Sequence, residues 1–268
     1  MIVYIEVSML KDVKLFLLDM DGTLYFDDEL IPGAYDFIST LQKYNKHFCY
    51  LTNNSSKSHQ DYIKKLNKLG LPCLDNQVFT SGMAMALFLK NYRPNKKIYL
   101  VGTKALENEL LSYGIKIDEN NPDIVVVGFD RELTYQKLEK ACHFLFNGLE
   151  FLATNVDKVC PVKDQRYIPD CGSICDMLEL ATKRKPQYIG KPSKEMINIL
   201  LEEYGYLSSE TVMIGDRIYT DILTAKNAKT KSILVLSGET KMIDVEKSNI
   251  KPDYIVNSIA DLIEKIKS

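Results

Sequence analysis

The chain alternates short apolar runs with helix-length amphipathic segments. The apolar runs lie at 15–18, 48–51, 98–101, 124–127, 151–153, 212–214 and 233–236. Most of them show no alternation of apolar and polar residues, which is typical of parallel strands that are covered on both faces. The pattern therefore predicts an α/β fold built around a parallel sheet.

Between these runs, apolar residues recur every three to four positions, which is the spacing of one helix face. The amphipathic segments lie at 33–44, 59–69, 135–146, 193–204 and 259–266. Pro32 and Pro192 stand where two of them begin, a position that favours proline. We expect helices that cover the sheet.

Length and charge exclude several classes of protein. A chain of 268 residues is one large domain or a domain that carries a second. Apolar residues make up 46% and charged residues 26%, so disordered, collagen-like and coiled-coil proteins have no support. The net charge of −2 creates no field that would gather nucleic acid or anionic lipid. We expect neither a nucleic acid nor a membrane as partner.

The cellular compartment is predicted from cysteine usage and from the N-terminus. Six cysteines in a chain of this length lack the density of a disulfide-stapled secreted protein. The stretch 1–7 is apolar but short, contains Glu6, and has no small-residue cleavage site after it. No run approaches the roughly 20 apolar residues of a membrane span. We expect a soluble cytoplasmic protein.

Two aspartates end the first apolar run. Asp19 and Asp21 stand two positions apart, so in an extended segment their side chains share a face. Gly22 lets the chain turn tightly behind them, and ligand sites of open α/β sheets lie outside the carboxyl ends of strands. One carboxylate could attack a substrate while the other exchanges protons, although an acidic surface turn has the same short pattern.

Two further segments could hold an anion. The second apolar run ends in Thr52, Asn53 and a cluster of hydroxyl and amide groups over 54–57, which could bind phosphate oxygens or simply cap the helix that follows. Lys191 stands at a predicted helix start, where the ammonium and the helix dipole both favour an anion. The glycine-rich loop that precedes a Walker lysine is missing.

A third apolar run also ends in acid. Asp216 follows it directly, and Asp221 comes five residues later. Together with Asp19 they would form a hard-oxygen cation site. The residues with chemical promise thus cluster at both ends of the chain, while the middle supplies a separate βα series. This distribution predicts an inserted domain at 81–186 within a core of 1–80 and 187–268.

The motifs together resemble those of haloacid-dehalogenase-like phosphatases. The set consists of Asp19-x-Asp21-Gly22-Thr23, Leu51-Thr52-Asn53, Gly190-Lys191-Pro192 and Gly215-Asp216-Arg217-x-x-Thr220-Asp221. Thr23-Leu24-Tyr25 and Ile31-Pro32-Gly33-Ala34 resemble the NagD-like class IIA branch, which includes p-nitrophenylphosphatase-like enzymes. In the middle, the segments 153–161 and 169–173 resemble the inserted cap of that branch, except that Asp170 replaces the usual glycine.

The resemblance implies a doubly wound, Rossmann-like parallel-sheet core with an inserted α/β cap. It further implies a Mg²⁺-dependent phosphatase that acts on a small phosphorylated metabolite. Asp19 would be the nucleophile that forms an aspartyl-phosphate, and Asp21 the general acid and base. A monomer or homodimer is expected, as relatives often pair through the cap.

The resemblance also implies which residues bind the metal and which bind the phosphoryl group. Magnesium would be held by Asp19, by the backbone carbonyl of Asp21 and by Asp216. The phosphoryl oxygens would be bound by Thr52, Asn53 and Lys191, which would also act in catalysis. Asp221 would support the site by orienting Lys191 or the waters of the metal.

Two other functions use a similar set of residues. A non-enzymatic phosphoacceptor or phosphate-binding switch would also combine aspartates, a threonine and a lysine on a doubly wound sheet. Such a switch needs neither Asp21 nor an inserted domain. A dehalogenase would share Asp19 but attack carbon without a metal, which leaves Asp216 unexplained. Magnesium dependence separates a phosphatase from a dehalogenase.

Overall fold

The computed structural model describes residues 8–162 and 166–267, and the N-terminal stretch 1–7 lies outside them. The strands are β1 (Leu15–Asp19), β2 (Tyr25–Phe26), β3 (Glu29–Leu30), β4 (His47–Thr52), β5 (Val78–Thr80), β6 (Lys97–Val101), β7 (Lys116–Ile117), β8 (Ile124–Val127), β9 (Glu150–Ala153), β10 (Val159–Val162), β11 (Arg166–Pro169), β12 (Gln187–Tyr188), β13 (Thr211–Gly215), β14 (Lys231–Val235) and β15 (Tyr254–Val256).

The α-helices lie between the strands. They are α1 (Ser8–Lys11), α2 (Ala34–Lys43), α3 (His59–Lys68), α4 (Ser81–Tyr92), α5 (Lys104–Ser112), α6 (Tyr135–Phe146), α7 (Cys171–Thr182), α8 (Lys194–Tyr204), α9 (Leu223–Ala228), α10 (Met242–Lys247) and α11 (Ile263–Lys267). A π-helical turn, Ile218–Ile222, precedes α9. None of the helices within 8–162 and 166–267 combines the length and the apolar character that crossing a membrane requires.

The chain folds into two compact units. The first contains the described residues of Met1–Thr52, Tyr62–Phe79 and Pro192–Ser268, and the second those of Asn53–Asp61 and Thr80–Lys191. The chain thus passes from one unit to the other four times, after Thr52, Asp61, Phe79 and Lys191. The predicted division into a 1–80 and 187–268 core with an 81–186 insertion stays a prediction.

The first unit is built on a six-stranded sheet with the order β15-β14-β13-β1-β4-β5. β1 pairs in parallel with β13 on one side and with β4 on the other. The strand order reverses here, because the chain continues from β1 to β4 and β5 on one side and returns through β13 to β15 on the other. Ligands of open α/β sheets bind at such a reversal, outside the carboxyl ends of the strands.

The second unit has a sheet of its own, with the order β12-β9-β8-β6-β7. In this sheet β6 pairs with β7 and β8, and β9 pairs with β8 and β12, in each case in parallel. A separate apolar core, which includes Val125, Val127 and Leu145, packs beneath it. The antiparallel hairpin of β10 and β11 belongs to the same unit.

The predicted α/β class with parallel sheets is confirmed. Each of the seven apolar runs forms a strand, and the amphipathic segment 135–146 coincides with α6. The helices α4, α5 and α7 were not predicted from the sequence. In α4, all residues from Ser81 to Leu89 are buried. A helix that is buried on every side shows no amphipathic period, so periodicity could not reveal it.

Candidate active site

A tight loop follows β1 and carries the first two aspartates. The main-chain N–H groups of Thr23, Leu24 and Tyr25 all point to the carbonyl oxygen of Met20, at 2.8–3.3 Å. Gly22 adopts a φ of +86°, a backbone conformation that residues with a Cβ atom rarely adopt. The loop therefore turns back at the carboxyl end of the central strand.

Three carboxylates meet at this edge of the sheet. One oxygen each of Asp19, Asp216 and Asp221 lies within 4.8 Å of the others, and Asp216 and Asp221 are buried. Asp19 ends β1, and Asp216 directly follows the neighbouring strand β13. Asp221 belongs to the π-helical turn, and its carboxylate accepts the main-chain N–H of Arg217 at 3.0 Å. The sequence predicted this convergence.

Glycines leave room for these carboxylates. A Cβ atom at position 22 would lie 2.5 Å from Asp216 Oδ2, and a Cβ at position 238 would overlap the same carboxylate. A Cβ at position 215 would overlap Asp221. The carboxylate of Asp216 also accepts the main-chain N–H of Glu239 at 2.7 Å. The loop after β14 thus encloses Asp216.

The carboxyl group of Asp21 lies outside the three-carboxylate cluster. Its Oδ2 accepts the hydroxyl of Tyr25 at 3.5 Å, and Lys65 lies 3.9 Å from the centre of the Tyr25 ring. Although the residue is exposed, surrounding protein atoms desolvate the carboxyl group and raise the pKa of Asp21, while the cations of Lys65 and Arg217 act to lower it. A raised pKa favours proton exchange near neutral pH.

Arg217 supplies the positive charge beside the cluster. Burial acts to lower the pKa of this guanidinium, but the nearby carboxylates, Asp19 foremost, outweigh burial and raise it. Arg217 Nε also lies 2.9 Å from a carboxylate oxygen of Glu239. Part of the negative charge of the three aspartates is therefore balanced by a fixed cation.

Thr52 is the last residue of β4 and is buried. Leu51 is in register with Asp19 on the neighbouring strand, so Thr52 emerges at the same edge of the sheet as the aspartates. The first unit thus brings Asp19, Thr52, Asp216 and Asp221 to one edge.

The second unit brings together Asn53 and Lys191. The Asn53 side chain accepts the main-chain N–H of Lys191 at 2.8 Å and donates to the Lys191 carbonyl oxygen at 2.9 Å. The same amide group donates to Asp157 at 2.9 Å. Lys191 is 3% exposed and Asn53 is 8% exposed. The two predicted phosphate ligands are therefore bonded to each other in a buried setting.

Two residues of the second unit have capping roles. Ser58 accepts the main-chain N–H of Asp61 and donates to the Asp61 carboxylate, as an N-cap of α3 does. Asp170, which replaces the glycine usual in the resembled family, is the N-cap of α7 and accepts the main-chain N–H of Cys171 at 2.5 Å. The departure at Asp170 thus has a local structural reason.

The three-carboxylate cluster fits a divalent cation. Carboxylate oxygens are the ligands that Mg²⁺ prefers, and Mg²⁺ keeps several waters when few protein ligands are present. Asp19, Asp216 and Asp221 supply three carboxylates of like charge at close range, an arrangement that a bound cation would stabilise. Asp19 and Asp216 belong to the predicted metal set, in which Asp21 would contribute its backbone carbonyl and Asp221 a supporting carboxylate, and that set stays a prediction.

The loop of Ser237, Gly238 and Glu239 also belongs to the site and was not predicted from the sequence. Besides the Glu239 contact with Asp216, the Ser237 hydroxyl donates to the carbonyl oxygen of Gly22 at 3.0 Å. The loop directly follows β14, in register beside β13. A Ser-Gly-Glu sequence after a strand is typical of an ordinary turn, so no local pattern distinguished this loop.

Comparison with known proteins reveals extensive similarity. Residues 16–116 match the family described as haloacid dehalogenase-like hydrolase, and residues 188–262 match the HAD-hydrolase-like family. The ribonucleotide monophosphatase NagD of Escherichia coli K12 is 36% identical over 93% of this chain and 98% of its own. The acid sugar phosphatase of Staphylococcus saprophyticus is 34% identical over 96% of this chain and 100% of its own.

A solved structure shares the whole architecture. The crystal structure of a 4-nitrophenylphosphatase from Thermotoga maritima matches with a TM-score of 0.91 and 43% identity. The match covers 96% of this chain and 98% of the other. Both units of the chain therefore have counterparts in a single relative.

Proposed function

Because the chain belongs to the haloacid-dehalogenase-like hydrolases, in their NagD-like branch, and is a phosphoric monoester hydrolase, we propose that it hydrolyses a small phosphomonoester through an aspartyl-phosphate on Asp19. The observation that carries this proposal is the meeting of Asp19, Asp216 and Asp221 at the point where the strand order reverses. A carboxylate that attacks a negatively charged phosphoryl group needs nearby positive charge. The three carboxylates can bind a cation that supplies this charge.

Asp19 attacks phosphorus in line with the departing alkoxide. A bond forms between a carboxylate oxygen and phosphorus while the ester bond breaks, and Asp21 gives its proton to the alkoxide. Asp21 then takes a proton from the water that attacks phosphorus, the bond between Asp19 and phosphorus breaks, and inorganic phosphate leaves with Asp19 restored as a carboxylate. The hydroxyl of Thr23 donates to Asp19 at 3.3 Å and orients the nucleophile.

The remaining residues of the site bind the phosphoryl group or the metal. Thr52, Asn53 and Lys191 bind the equatorial phosphoryl oxygens, Asn53 through its main-chain N–H because its side chain is bonded to Lys191. Asp19, Asp216 and the backbone carbonyl of Asp21 would hold Mg²⁺, and Asp221 would support them. When bound, Mg²⁺ supplies positive charge that offsets the repulsion between the phosphoryl group and Asp19.

The substrate is a small phosphorylated metabolite. The relatives include an acid sugar phosphatase and a ribonucleotide monophosphatase, so sugar phosphates and ribonucleoside monophosphates are the first candidates for this chain. The 4-nitrophenylphosphatase relative makes p-nitrophenyl phosphate a suitable chromogenic probe.

The experiment measures phosphate release from these three kinds of phosphomonoester, with Mg²⁺ and with EDTA. Wild type, Asp19→Asn and the exposed control Asp12→Asn are compared. We expect Mg²⁺-dependent release that falls by at least about 10³-fold in Asp19→Asn and is unchanged in Asp12→Asn, because an amide is a poor nucleophile. Near-normal release by Asp19→Asn would remove Asp19 from the nucleophile role.

Mass spectrometry of the enzyme during turnover distinguishes the phosphatase from a phosphoacceptor switch. The phosphatase would carry a short-lived phosphoryl group on Asp19 that disappears when substrate is exhausted. A phosphoryl group that persists without release of phosphate would contradict the proposal and favour the switch.

A further inference from the structure

We propose that Asn155 and Asp157 hold Asn53, and that Asn53 in turn fixes the main chain of Lys191, so that all three are positioning residues for the lysine. The inference rests on the proposed function, in which Lys191 binds a phosphoryl oxygen. The proposal assigns a positioning role to two side chains of the segment 153–161. The family resemblance identifies this segment without assigning a role to its side chains.

The first step is the contact between Asn53 and Lys191. One side-chain amide pairs with both polar main-chain groups of Lys191, accepting the N–H at 2.8 Å and donating to the carbonyl at 2.9 Å. Two parallel bonds to one residue restrict its rotation as well as its distance. They fix the point from which the Lys191 side chain extends.

The second step is the orientation of the Asn53 amide. Asp157 accepts from Nδ2 at 2.9 Å, and an ionised carboxylate can only accept. If the amide rotated by half a turn, its oxygen would face both the Asp157 carboxylate and the Lys191 carbonyl, and its NH₂ would face the Lys191 N–H. Asp157 therefore selects the one orientation that binds both main-chain groups of Lys191.

The third step concerns the main chain of Asn53. Its carbonyl oxygen accepts from Asn155 Nδ2 and from the Ser81 hydroxyl, each at 2.5 Å. Asn155 is fully buried and also donates to Asp170 at 3.4 Å. Asn155 and Asp157 thus hold the main chain and the side chain of the same residue.

The chain before Lys191 leaves no freedom in this arrangement. A Cβ atom at Gly190 would lie 2.8 Å from Asn53 Oδ1 and would overlap the carbonyl oxygen of Thr154. Glycine is required here by close approach, and the approach sets the register between Asn53 and Lys191.

The first test compares Asp157→Ala with Asp157→Asn. Removal of the acceptor takes away one of the three hydrogen bonds of the Asn53 amide, and we expect kcat/KM to fall roughly 10- to 100-fold with weaker binding of inorganic phosphate by calorimetry. Asp157→Asn retains an oxygen that can accept from Asn53, so it should keep most of the wild-type kcat/KM and most of the affinity for inorganic phosphate. Asn147→Ala, which removes an exposed amide at the end of α6, is the matched control and should change neither. Equal losses in the alanine and asparagine variants would overturn the proposed role of Asp157.

The second test is a double-mutant cycle between Asn53→Ala and Lys191→Met, read as kcat/KM and as the Kd of inorganic phosphate. If Asn53 acts through Lys191, Asn53→Ala has a large effect in wild type and less than about a threefold effect in Lys191→Met. Circular dichroism and thermal unfolding verify that each variant is folded. Should Asn53→Ala misfold, Asp157→Ala replaces it in the cycle.

The outcomes separate the two proposals. In one outcome the wild type is active and Asp19→Asn is inactive, while the effects of Asn53→Ala and Lys191→Met are additive. That result would overturn the positioning role and leave the phosphatase mechanism intact. A wild type that releases no phosphate from any substrate of the panel would overturn the proposed function and this inference together.

Discussion

Asp216 is enclosed by its neighbours, and Gly238 makes this possible. A methyl group at position 238 would overlap the Asp216 carboxylate, although the φ of Gly238 lies outside the left-handed region. We predict that Gly238→Ala displaces this carboxylate, lowers kcat at least tenfold and raises the Mg²⁺ concentration needed for half-maximal activity. Phosphate release measured over a Mg²⁺ titration checks the prediction.

Gly114→Ala is the control for this substitution. It adds the same methyl group where no atom lies within 4 Å, at a φ of +80°. The variant should lose about 1 kcal/mol of stability through backbone strain while keeping its activity and its Mg²⁺ requirement. A Gly238→Ala enzyme with the Mg²⁺ requirement of wild type would contradict the importance of this close approach.

Asp19 and Asp216 could be predicted because each stands at or just beyond an apolar run that had to be a buried strand. Gly238 and Glu239 could not be predicted, since a Ser-Gly-Glu sequence after a strand is an ordinary turn. What distinguishes them is a contact with Asp216, more than twenty positions away in the chain. Such a contact depends on the order of the strands, which no local pattern specifies.

Asp253 ties three elements of the first unit together. Its carboxylate accepts from the main chain and hydroxyl of Ser232 on β14 at 2.8 and 2.7 Å and from Lys226 on α9 at 2.5 Å, just before β15 begins. Partial burial acts to raise the pKa of Asp253, but the hydrogen bonds from Lys226 and Ser232 outweigh it and lower the pKa. The ionised form is therefore favoured in the folded protein.

A folded pKa below the unfolded one stabilises the protein above the unfolded pKa, and this stability is lost as the pH falls through the folded pKa. We predict that Asp253→Asn lowers the free energy of unfolding by about 1 kcal/mol at pH 7, a value reduced by solvent screening, and the Tm by roughly 2–4 °C. Thermal unfolding at several pH values should show the difference shrinking below about pH 4. A loss that is constant over the whole range would contradict the electrostatic explanation, and Asp12→Asn serves as the exposed control.

A one-sided apolar face made several helices predictable, although α5 and α7 were missed despite buried residues at the same helical spacing. Segment 193–204 was predicted because its apolar residues, such as Met196 and Leu200, face one side, and it forms α8. β15 was missed because only Val256 of its three residues is buried, so its apolar run is short and follows a charged turn. Edge strands bury little surface and leave a weak signal in the sequence.

The two compact units could be anticipated only in outline. Motifs at both ends of the chain and a separate βα series between them indicated an insertion. The assignment of Asn53–Asp61 to the second unit depends on contacts such as those of Ser55, whose hydroxyl lies 2.8 Å from that of Thr154 and accepts the main-chain N–H of Phe129. These partners are distant in sequence and gave no local signal.

Metal binding should change the stability of the whole protein. Asp19, Asp216 and Asp221 repel one another in the metal-free protein, because their carboxylates lie within 4.8 Å. A cation that binds the folded state alone adds about 2.7 kcal/mol at a concentration of 100 times its Kd, or roughly 5–10 °C in Tm. We predict a shift of this size when Mg²⁺ replaces EDTA in scanning calorimetry of the wild type.

The Tm values of Asp216→Asn and of the wild type should follow opposite orders in EDTA and in Mg²⁺. In EDTA it removes one repelling charge while keeping an oxygen for the Glu239 N–H, so its Tm should equal or exceed that of wild type. In Mg²⁺ the wild type should be the more stable, because the variant has lost a charged ligand and its response to the metal. Asp12→Asn should follow wild type in both conditions. A full Mg²⁺ response in Asp216→Asn would exclude Asp216 as a metal ligand, whatever its effect on turnover.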